Sequence, residues 1–592
     1  MRYFAVFMFL FFMLKSYPQS RGTNAIATDA IGRKLPSNTS VGGPKKDKFV
    51  GLFYWTWHTQ PGVKNPPFNV TEYLARDPKA IDDYNNPVWP KRNSPWFWSE
   101  PLLGYYLDTD AWVLRKHAEM LADAGVDVII FDCTNGNITW KESYLKLCKV
   151  FTKARNDGVQ TPQIAFMLPF WMTPGGKEII RELYTELYKP GLYKDLWFMW
   201  KGKPLIIAMP ELVADVPGRP DSTAHNRSIR NFFTFRPGQP VYNKGPERPD
   251  HWGWLEIHPQ HGFVKKEDGG FEQVTVGVAQ NWSKERGLTA MNAPGAFGRS
   301  YTDAKGQIKE PGAVNNGYNF QEQWDRALEI DPEFIFITGW NEWIAGRYDV
   351  WQQQTNAFPD EFNEEGSRDV EPMKGGHGDN YYYQMVSNIR RFKGVPAEQP
   401  ASDAVIIPID GKFTEWNKVT PAFNSYKGNT IHRNSPGFGS LYYTNKTGRN
   451  DIVLTKCARD NENIYFYVET AAPLTSKTDP GWMRLFIDAD NNKNTGWEGY
   501  DFLVNRTSPG KKAIVEKTDG GWFWEKAGEV EYAVNSNKME IKMPKTLLNI
   551  TGEPDLGFKW SDNMQQEGDI MDFHINGDVA PAGRFNYHYF TK

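Results

Sequence analysis

The stretch "EFIFITGWNEW" (333–343) begins as an apolar run and ends in polar and aromatic residues. Residues 334–338 are apolar or β-branched, which is typical of a strand buried on both faces of a parallel sheet. Glu342 follows, between Trp340 and Trp343. Because a glutamate is rarely buried unless it is paired or functional, this position predicts a site just beyond the end of the strand.

Seven further runs of this kind alternate with helix-like segments. The clearest helical spacing and end signals lie in 108–125, 177–191 and 320–332. Strands and helices in this order predict a (β/α)8 barrel, a TIM-like α/β fold, over residues 48–395. The predicted strands are 49–57, 126–135, 162–171, 203–211, 231–237, 252–260, 273–282 and 333–343.

The side chains at the carboxyl ends of these strands are the candidate site residues, because barrels of this type carry their catalytic groups there. An acid at a strand end also serves as a solvated loop start or a helix cap, so each position has a structural alternative. The candidate catalytic acids are Glu342, Asp132, Glu256 and Glu211, and the candidate substrate contacts are Trp57, His58, Asn135, Trp171, His258, Asn281, Trp340, Asn341 and Trp343.

Glu342 has the chemistry of a proton donor. A carboxyl group walled by aromatic rings is poorly solvated, which raises its pKa and suits it to donate a proton near neutrality. Glycoside hydrolysis needs a second carboxyl group across the scissile bond, and Asp132, Glu211 or Glu256 is expected to supply it. A nucleophilic serine elbow and a zinc-binding pattern are both absent from the sequence.

The composition agrees with a glycan ligand. Aromatic residues make up 15% of the chain and include 23 tryptophans, many of them beside Gly, Asn, Pro or acidic residues. Such rings pack in cores, and they also form flat faces for sugar rings. The net charge of −3 provides no basic field for nucleic acid.

Four segments together carry a resemblance to a known family: "GLFYWTWH" (51–58), "AGVDVIIFDCTNG" (124–136), "WFMWKGKPLIIAMPE" (197–211) and "ITGWNEWIAG" (337–346). Over roughly 49–395 the chain resembles the family 99 and 99-like glycoside hydrolases, with some likeness to family 71. The resemblance implies an exported or cell-surface barrel that acts on α-linked mannans and related glycans.

The resemblance also implies roles for two glutamates three residues apart, and this chain keeps only one of them. Glu342 matches the residue that assists the sugar's own 2-hydroxyl group. The acid/base position falls on Ala345, which cannot transfer a proton. Either another strand supplies the acid, or the barrel binds glycan without cleaving it.

The chain changes character after a Pro- and Ala-containing linker at 396–408. Residues 409–592 contain short alternating strands with turns about every ten residues, which predicts a β-sandwich. This part resembles the family 9 carbohydrate-binding module in "DGKFTEW" (410–416) and "LFIDADNNKNTGWEGYDFLVN" (485–505). The resemblance implies that aromatic rings hold a sugar, with Trp497, Trp522, Trp524 and Trp560 as candidates.

The segment "DADNNKNTG" (488–496) places Asp488, Asp490, Asn492 and Asn494 at alternate positions. That spacing turns oxygen atoms toward one point, as Ca²⁺ requires, so a structural calcium site is predicted. A plain Asx-rich turn is the competing interpretation. No cofactor is expected for catalysis.

The amino terminus indicates export. A basic start and an apolar stretch from Phe4 to Leu14 predict a signal peptide over residues 1–20, and 21–47 reads as a polar tether. No other apolar stretch is long enough to form a membrane helix. The sequence therefore predicts an exported glycoside hydrolase with an appended carbohydrate-binding domain. The alternative is a glycan-capture protein without catalytic activity.

Overall fold

The computed structural model describes residues 25–59, 65–90 and 95–591 of the 592. The predicted signal peptide lies outside the described residues. Within them, no helix combines the length and apolarity that crossing a bilayer requires.

A curved sheet with seven parallel strands forms a half-barrel. The seven strands are β1 Phe49–Tyr54, β2 Val128–Asp132, β3 Gln163–Met167, β4 Lys203–Ile207, β5 Thr234–Phe235, β6 Phe271–Gly277 and β7 Phe334–Thr338. They run across the sheet in the order β6-β7-β1-β2-β3-β4-β5, and two short antiparallel strands, Met199–Trp200 and Phe263–Lys265, extend the sheet at β4 and β6. The apolar runs of the sequence form these strands because helices and loops cover both faces of the sheet.

The sixth predicted strand, 252–260, is reduced to Trp252–Gly253, which pairs with Gly238–Gln239. Toward β6, the Gln273 side chain receives a hydrogen bond from the Gly253 amide (2.9 Å) and donates one to its carbonyl (3.0 Å). At this point the Gln273 side chain makes the hydrogen bonds to Gly253 that a neighbouring strand backbone would make in a complete barrel. A TIM-like sheet is confirmed in part, whereas a complete (β/α)8 barrel is not.

Six longer helices of the described residues pack around the sheet, and the cap signals are clearest at the first of them, α1 (Ala111–Ala124). The Asp110 side chain accepts hydrogen bonds from the amides of Trp112 and Val113 at the start of α1, and Gly125 ends this helix with φ 82°. The helices are α1 Ala111–Ala124, α2 Lys141–Asn156, α3 Pro174–Leu183, α4 Pro220–Phe232, α5 Tyr318–Ile330 and α6 Asn380–Lys393.

Residues 422–590 form two facing antiparallel sheets around a core that includes Phe466, Leu485 and Phe558. The first sheet contains Ala422–Asn424, Ile452–Arg459, Asn463–Thr470, Lys538–Pro544 and Tyr532–Asn535. The second contains Glu525–Val530, Ala513–Lys517, Phe502–Val504, Arg484–Asp488, Asp555–Asp562, Asp578–Ala580 and Tyr587–Phe590.

The remaining elements are short and lie in the connections. The hairpins and strand pairs are Phe68–Asn69 with Trp96–Phe97 and Ile344–Ala345, Trp282–Ser283 with Gly287–Leu288, Tyr301–Thr302 with Gly306–Gln307, Tyr348–Trp351 with Gln354–Ala357, and Arg433–Pro436 with Tyr442–Asn445. The short helices and helical turns are Asn38–Val41, Val70–Arg76, Pro78–Asp82, Tyr184–Tyr188, Lys194–Leu196, Pro210–Val213, Ala313–Asn316, Glu415–Lys418, Lys545–Leu548 and Asp572–Ile575.

The predicted polar tether is packed over its first described residues, 25–29, whereas residues 30–47 are half-buried or exposed. Ala25 and Ala27 are buried, and the amide of Ile26 donates to the carbonyl of Asn586 (3.0 Å). This segment therefore joins the carboxyl-terminal part of the chain.

Buried ion pairs fasten the two sheet systems to each other. Arg584 donates through Nε to both Asp379 oxygens (2.9 Å each) and through Nη1 to Glu498 (2.8 Å). The positive charge of Arg584, together with His574, holds the pKa of the buried Asp379 carboxyl at about 2. Burying Asp379 therefore depends on keeping this partner.

We expect Arg584→Ala to lower the free energy of unfolding by about 3–5 kcal/mol, because Asp379 loses its principal charged partner in a buried setting. Urea denaturation at pH 7 measures the change. Lys412→Ala, which removes an exposed partner of Asp410, is the control and should cost less than about 1 kcal/mol. Equal costs for the two variants would contradict this account of the interface.

Candidate active site

Asn341 fixes the end of β7 against the end of β1. Its Oδ1 accepts a hydrogen bond from the Trp55 amide (2.9 Å), and its Nδ2 donates to the Trp55 carbonyl (3.2 Å) and to the Tyr106 hydroxyl (3.1 Å). The predicted contact of Asn341 with a sugar hydroxyl is therefore wrong, since its amide group is used inside the protein. Its role is to hold the backbone that carries Glu342.

The two tryptophans around Glu342 are structural rather than platforms for sugar. Trp340 is buried and packs edge-on against His117 and Tyr382. Trp343 is also buried. It stacks on Trp98 with 4.9 Å between ring centroids, and its indole nitrogen donates to Glu371 (2.6 Å). Neither ring has an open face, so their prediction as substrate contacts is wrong.

Glu342 and Asp360 share one nitrogen of a buried arginine. Nη2 of Arg368 donates to Glu342 Oε2 (3.2 Å) and to Asp360 Oδ1 (3.1 Å), so these two oxygens are at most about 6.3 Å apart. The Glu342 side chain is 6% exposed and the Asp360 side chain is 39% exposed. One carboxyl group is thus enclosed, and the other opens toward solvent.

Burial raises the pKa of Glu342 to about 8, and the negative charges of Asp360, Asp369 and Asp132 add to the rise, while Arg368 opposes it. Glu342 is therefore predominantly protonated at neutral pH. Asp132 is the predicted acid that does lie near it. It ends β2 level with Trp55, and burial raises its pKa to about 6.

A second pair of carboxyl groups lies behind this one. Glu361 is fully buried, and burial together with the charges of Asp369 and Glu342 raises its pKa well above the ordinary range. Among the described residues, both oxygens of Glu361 and Oδ1 of Asp369 are buried without a hydrogen-bond donor, while Asp369 Oδ2 accepts a hydrogen bond from the Trp98 indole (2.7 Å). Burial without a donor favours the protonated form of a carboxyl group, so Glu361 is the neutral member of the pair.

Aromatic rings line the sheet edge beside these acids. Trp57 lies between Trp55 (4.2 Å between centroids) and Trp140 (5.2 Å), and its indole nitrogen reaches the carbonyl of Asp132 (3.5 Å). Further rings lie nearby. Phe170 contacts Trp254 at 5.6 Å and the 64%-exposed Trp171 at 6.0 Å. Trp57, Trp140, Phe170 and Trp254 are each half-buried, as stacking with a sugar would require.

The other rim residues have varied settings. Asn135 is exposed just after β2. His58 is buried, with Nδ1 3.4 Å from Asp108. Asn281 is buried close to Tyr242, a ring near enough for the charges of Arg368 and Glu342 to influence its pKa.

Sequence reasoning missed Asp360 and Tyr242. Asp360 lies in the acid-rich segment after β7, where composition alone did not separate it from neighbouring acids. Tyr242 lies in the loop-rich segment between β5 and β6. Asp369 and Glu371 flank the Arg368 segment but have other partners: Asp369 accepts a hydrogen bond from Trp98, and Glu371 is bonded to His117, Tyr106 and Trp343.

Three predicted site residues lie elsewhere. Glu256 is buried but bonds to His261 (2.8 Å), and Glu211 is exposed and pairs with Arg248 (2.9 Å). His258 lines a cavity against α5. Because the observed strand at this point ends at Gly253, Glu256 and His258 do not lie at a strand end as the sequence pattern predicted.

The tryptophans predicted to bind sugar in the carboxyl-terminal domain are mostly internal. Trp560 is fully buried and donates to Thr455 Oγ1 (3.0 Å), and Trp497 is buried against Trp522 (4.4 Å between centroids). Both predictions of a sugar platform are wrong, since the rings fill core positions. Trp522 and Trp524 are half-buried beside Phe523, which is 82% exposed.

The predicted calcium segment forms a cluster of acids with one unpredicted member. Carboxylate oxygens of Asp488, Asp490 and Asp501 lie within 4.8 Å of one another. Burial and the two neighbouring acids raise the pKa of Asp488 to about 7. The backbone N–H of Asn492 donates to the carboxylates of Asp488 (3.3 Å) and Asp490 (3.0 Å). The backbone N–H of Asn494 donates to the side-chain oxygen of Asn492 (3.1 Å). An Asx-rich turn and an oxygen cluster are thus both present.

No protein-family model and no curated protein matches the chain. Among solved structures it is similar to the GH99 endo-alpha-mannosidase from Bacteroides thetaiotaomicron, with 16% identity over 59% of this chain and 98% of that one, and a TM-score of 0.35. The same enzyme in complex with BIS-TRIS-propane gives 0.34, again at 16% identity and with the same coverage. A protein described as a glycoside hydrolase gives 0.20 at 10% identity, over 88% of this chain and 97% of that one. At these TM-scores the likeness carries no argument about activity, and the resemblances to family 71 and to the family 9 binding module stay predictions.

We expect Glu361→Gln to change the free energy of unfolding by less than about 1 kcal/mol at pH 7, because the side chain is already neutral and the amide that replaces it is neutral as well. Glu371→Gln is the matched control. Glu371 accepts hydrogen bonds from Tyr106, His117 and Trp343, and an amide nitrogen would face donors, so a loss of about 1–3 kcal/mol is expected. Guanidinium denaturation measures both, and a larger loss for Glu361→Gln would refute the protonated pair.

Proposed function

We propose that the chain is a glycoside hydrolase whose reacting carboxyl groups are Glu342 and Asp360. The observation that carries the proposal is the shared Arg368 nitrogen, which keeps the two carboxylate oxygens at most about 6.3 Å apart. Retaining glycosidases have carboxyl groups about 5–5.5 Å apart, and inverting ones about 6.5–9.5 Å. The geometry favours retention of configuration.

The environments of the two groups support different roles. Glu342 is enclosed and protonated at neutral pH, which suits the acid that gives its proton to the glycosidic oxygen as the bond from C1 to that oxygen breaks. Asp360 is partly exposed and ion-paired with Arg368, which suits the carboxylate that attacks C1. Water then releases the sugar from Asp360 while Glu342 takes back a proton from that water.

Asp132 is the second candidate for the attacking carboxylate. Its charge reaches Glu342, and it borders the stacked rings of Trp57 and Trp140. In the first assignment its negative charge would stabilise the oxocarbenium-like transition state without forming a bond. Glycan binding without cleavage is the alternative function, and the same variants test it.

The glycan itself is chosen from the sequence resemblance, which implies α-mannan as the first substrate to test. Export through residues 1–20 and glycan binding by residues 409–592 belong to the same proposal. Within residues 409–592, the half-buried Trp522 and Trp524 and the exposed Phe523 are the rings that remain available to bind a sugar.

We expect Glu342→Gln and Asp360→Asn each to lower kcat on α-mannan oligosaccharides at least about 100-fold, because each removes one of the two required carboxyl groups. Activity of the unaltered chain should also fall as the pH rises through about 8, where Glu342 loses its proton. Initial rates with product analysis from pH 4 to 10 measure both effects.

Glu211→Gln, an exposed change away from the site, is the control and should keep full activity. If Asp360→Asn retains activity and Asp132→Asn loses it, the pair is Glu342 with Asp132. If Glu342→Gln is fully active, the hydrolase proposal fails. If the unaltered chain binds glycan and releases no product, the capture function replaces it.

We also propose that the cluster of Asp488, Asp490 and Asp501 holds a structural Ca²⁺. Millimolar CaCl2 should raise the melting temperature of the unaltered chain by several degrees, because the cation binds the folded form and relieves the repulsion among these acids. Asp490→Asn should abolish that rise, while MgCl2 should produce less of it. A rise that persists in Asp490→Asn would place the binding elsewhere.

A further inference from the structure

A cleft of about 720 Å³ lies on the seam between the half-barrel and the carboxyl-terminal domain. One wall comes from the loops around Glu100 and Lys374, and the other comes from the hairpin that contains Thr444 and from the segment around Gln566. None of the groups assigned to the candidate active site lines it. The cleft is thus a separate feature formed only when the two parts of the chain pack together.

The walls of the cleft are fixed in place. Arg433 is buried, and it donates to Asp110 (2.7 Å) and to the Leu103 carbonyl (2.9 Å). Its guanidinium carbon also lies 4.1 Å from the centroid of the Tyr443 ring and 5.1 Å from that of Trp112. A surface held by these contacts is already organised before a ligand arrives, which lowers the cost of binding.

The lining combines an apolar floor with a polar rim of nearly balanced charge. Leu103, Trp112 and Ile575 belong to one apolar cluster below the cleft. Above it, Glu100 pairs with Lys374 (3.1 Å), and Lys446 and Asp569 add one charge of each sign. An apolar floor edged by hydroxyl, amide and paired charged groups suits an uncharged polyhydroxylated ligand. It does not suit a polyanion, which needs an excess of positive charge.

Two chain segments lead from the candidate active site to this cleft. The Trp98 amide donates to the Trp343 carbonyl (3.3 Å), and a few residues later the Leu102 amide donates to the Pro372 carbonyl (2.9 Å) and the Lys374 amide to Glu100 (3.0 Å). Lys374 is the fifth residue after Asp369, so the two lie at most about 18 Å apart. The cleft is therefore joined through a short, hydrogen-bonded stretch of backbone to the segment that carries Arg368 and Asp369.

We propose that this interdomain cleft is a second glycan-binding site, which takes a neutral polysaccharide chain at a distance from the bond to be cleaved. The proposal relies on the proposed function for the choice of a glycan as the ligand. Binding at a second site raises the local concentration of substrate without altering the reacting groups. Long chains should therefore gain from the cleft, and short oligosaccharides should not.

The test uses the full chain carrying Glu342→Gln, so that binding is measured without turnover. Thr444 is exposed on the rim, and Thr444→Trp should fill the cleft and weaken binding of soluble α-mannan at least about tenfold in affinity electrophoresis. Tyr442→Trp is the matched control, since Tyr442 lies two residues away on the same strand, is exposed, and does not line the cleft. It should leave binding unchanged.

Gln566→Ala with Lys446→Ala provides a second variant that empties the rim instead of filling the cleft, and it should weaken binding in the same direction. With the catalytic carboxyl restored, both cleft variants should keep kcat/KM on a trisaccharide and lose it on the polymer. Unchanged polymer binding in both variants, or no binding of α-mannan and of a soluble β-glucan by the parent, overturns the cleft proposal. Binding of α-mannan by the unaltered chain without any turnover would count against the hydrolase proposal alone and leave the cleft proposal standing.

Discussion

The site depends on one buried cation, Arg368. Its guanidinium group is the only charged partner that the enclosed Glu342 has within hydrogen-bond distance among the described residues. Because a buried charge without a partner is costly, Arg368 and its acids can be buried only together. Arg299 holds the segment that carries Arg368, through the Ser367 hydroxyl (3.1 Å) and the Asp369 carbonyl (2.8 Å). The positions of the Glu342 and Asp360 carboxyl groups follow from that anchorage.

More acids than cations surround Arg368, and the proton on Glu342 offsets part of the excess negative charge. Glu342, Asp132 and Asp369 all have pKa values raised by burial, to about 8, 6 and 6 respectively. Neighbouring negative charges make the ionisation of each group harder for the others. The same burial that costs the fold stability at higher pH therefore leaves Glu342 with a proton to transfer at neutrality. Burial of Glu342 is thus the main cause of both its raised pKa and the stability that its ionisation would cost.

The sequence predicted the sheet well and the site only in part. Apolar runs located the strands, because burial on both faces requires continuous apolarity, but the run at 252–260 folded mainly as a turn. Glu342 and Asp132 were identified from strand ends. Trp340, Asn341 and Trp343 were misassigned, because adjacent residues after a strand point in different directions and only the one facing the mouth is available. Asp360 has no such signal, since it reaches Glu342 from a separate segment.

The sequence by itself determined that the chain has a parallel strand-and-helix half followed by antiparallel sheets, and that a glutamate ends the strand at 334–338. These features depend on local periodicity and on residue type, which a sequence displays directly. Only the tertiary structure decided which carboxyl group faces Glu342, which tryptophans keep an open face, and where the cleft forms. Each of those depends on contacts between residues far apart in the chain, because the burial of a side chain is set by all of its spatial neighbours together.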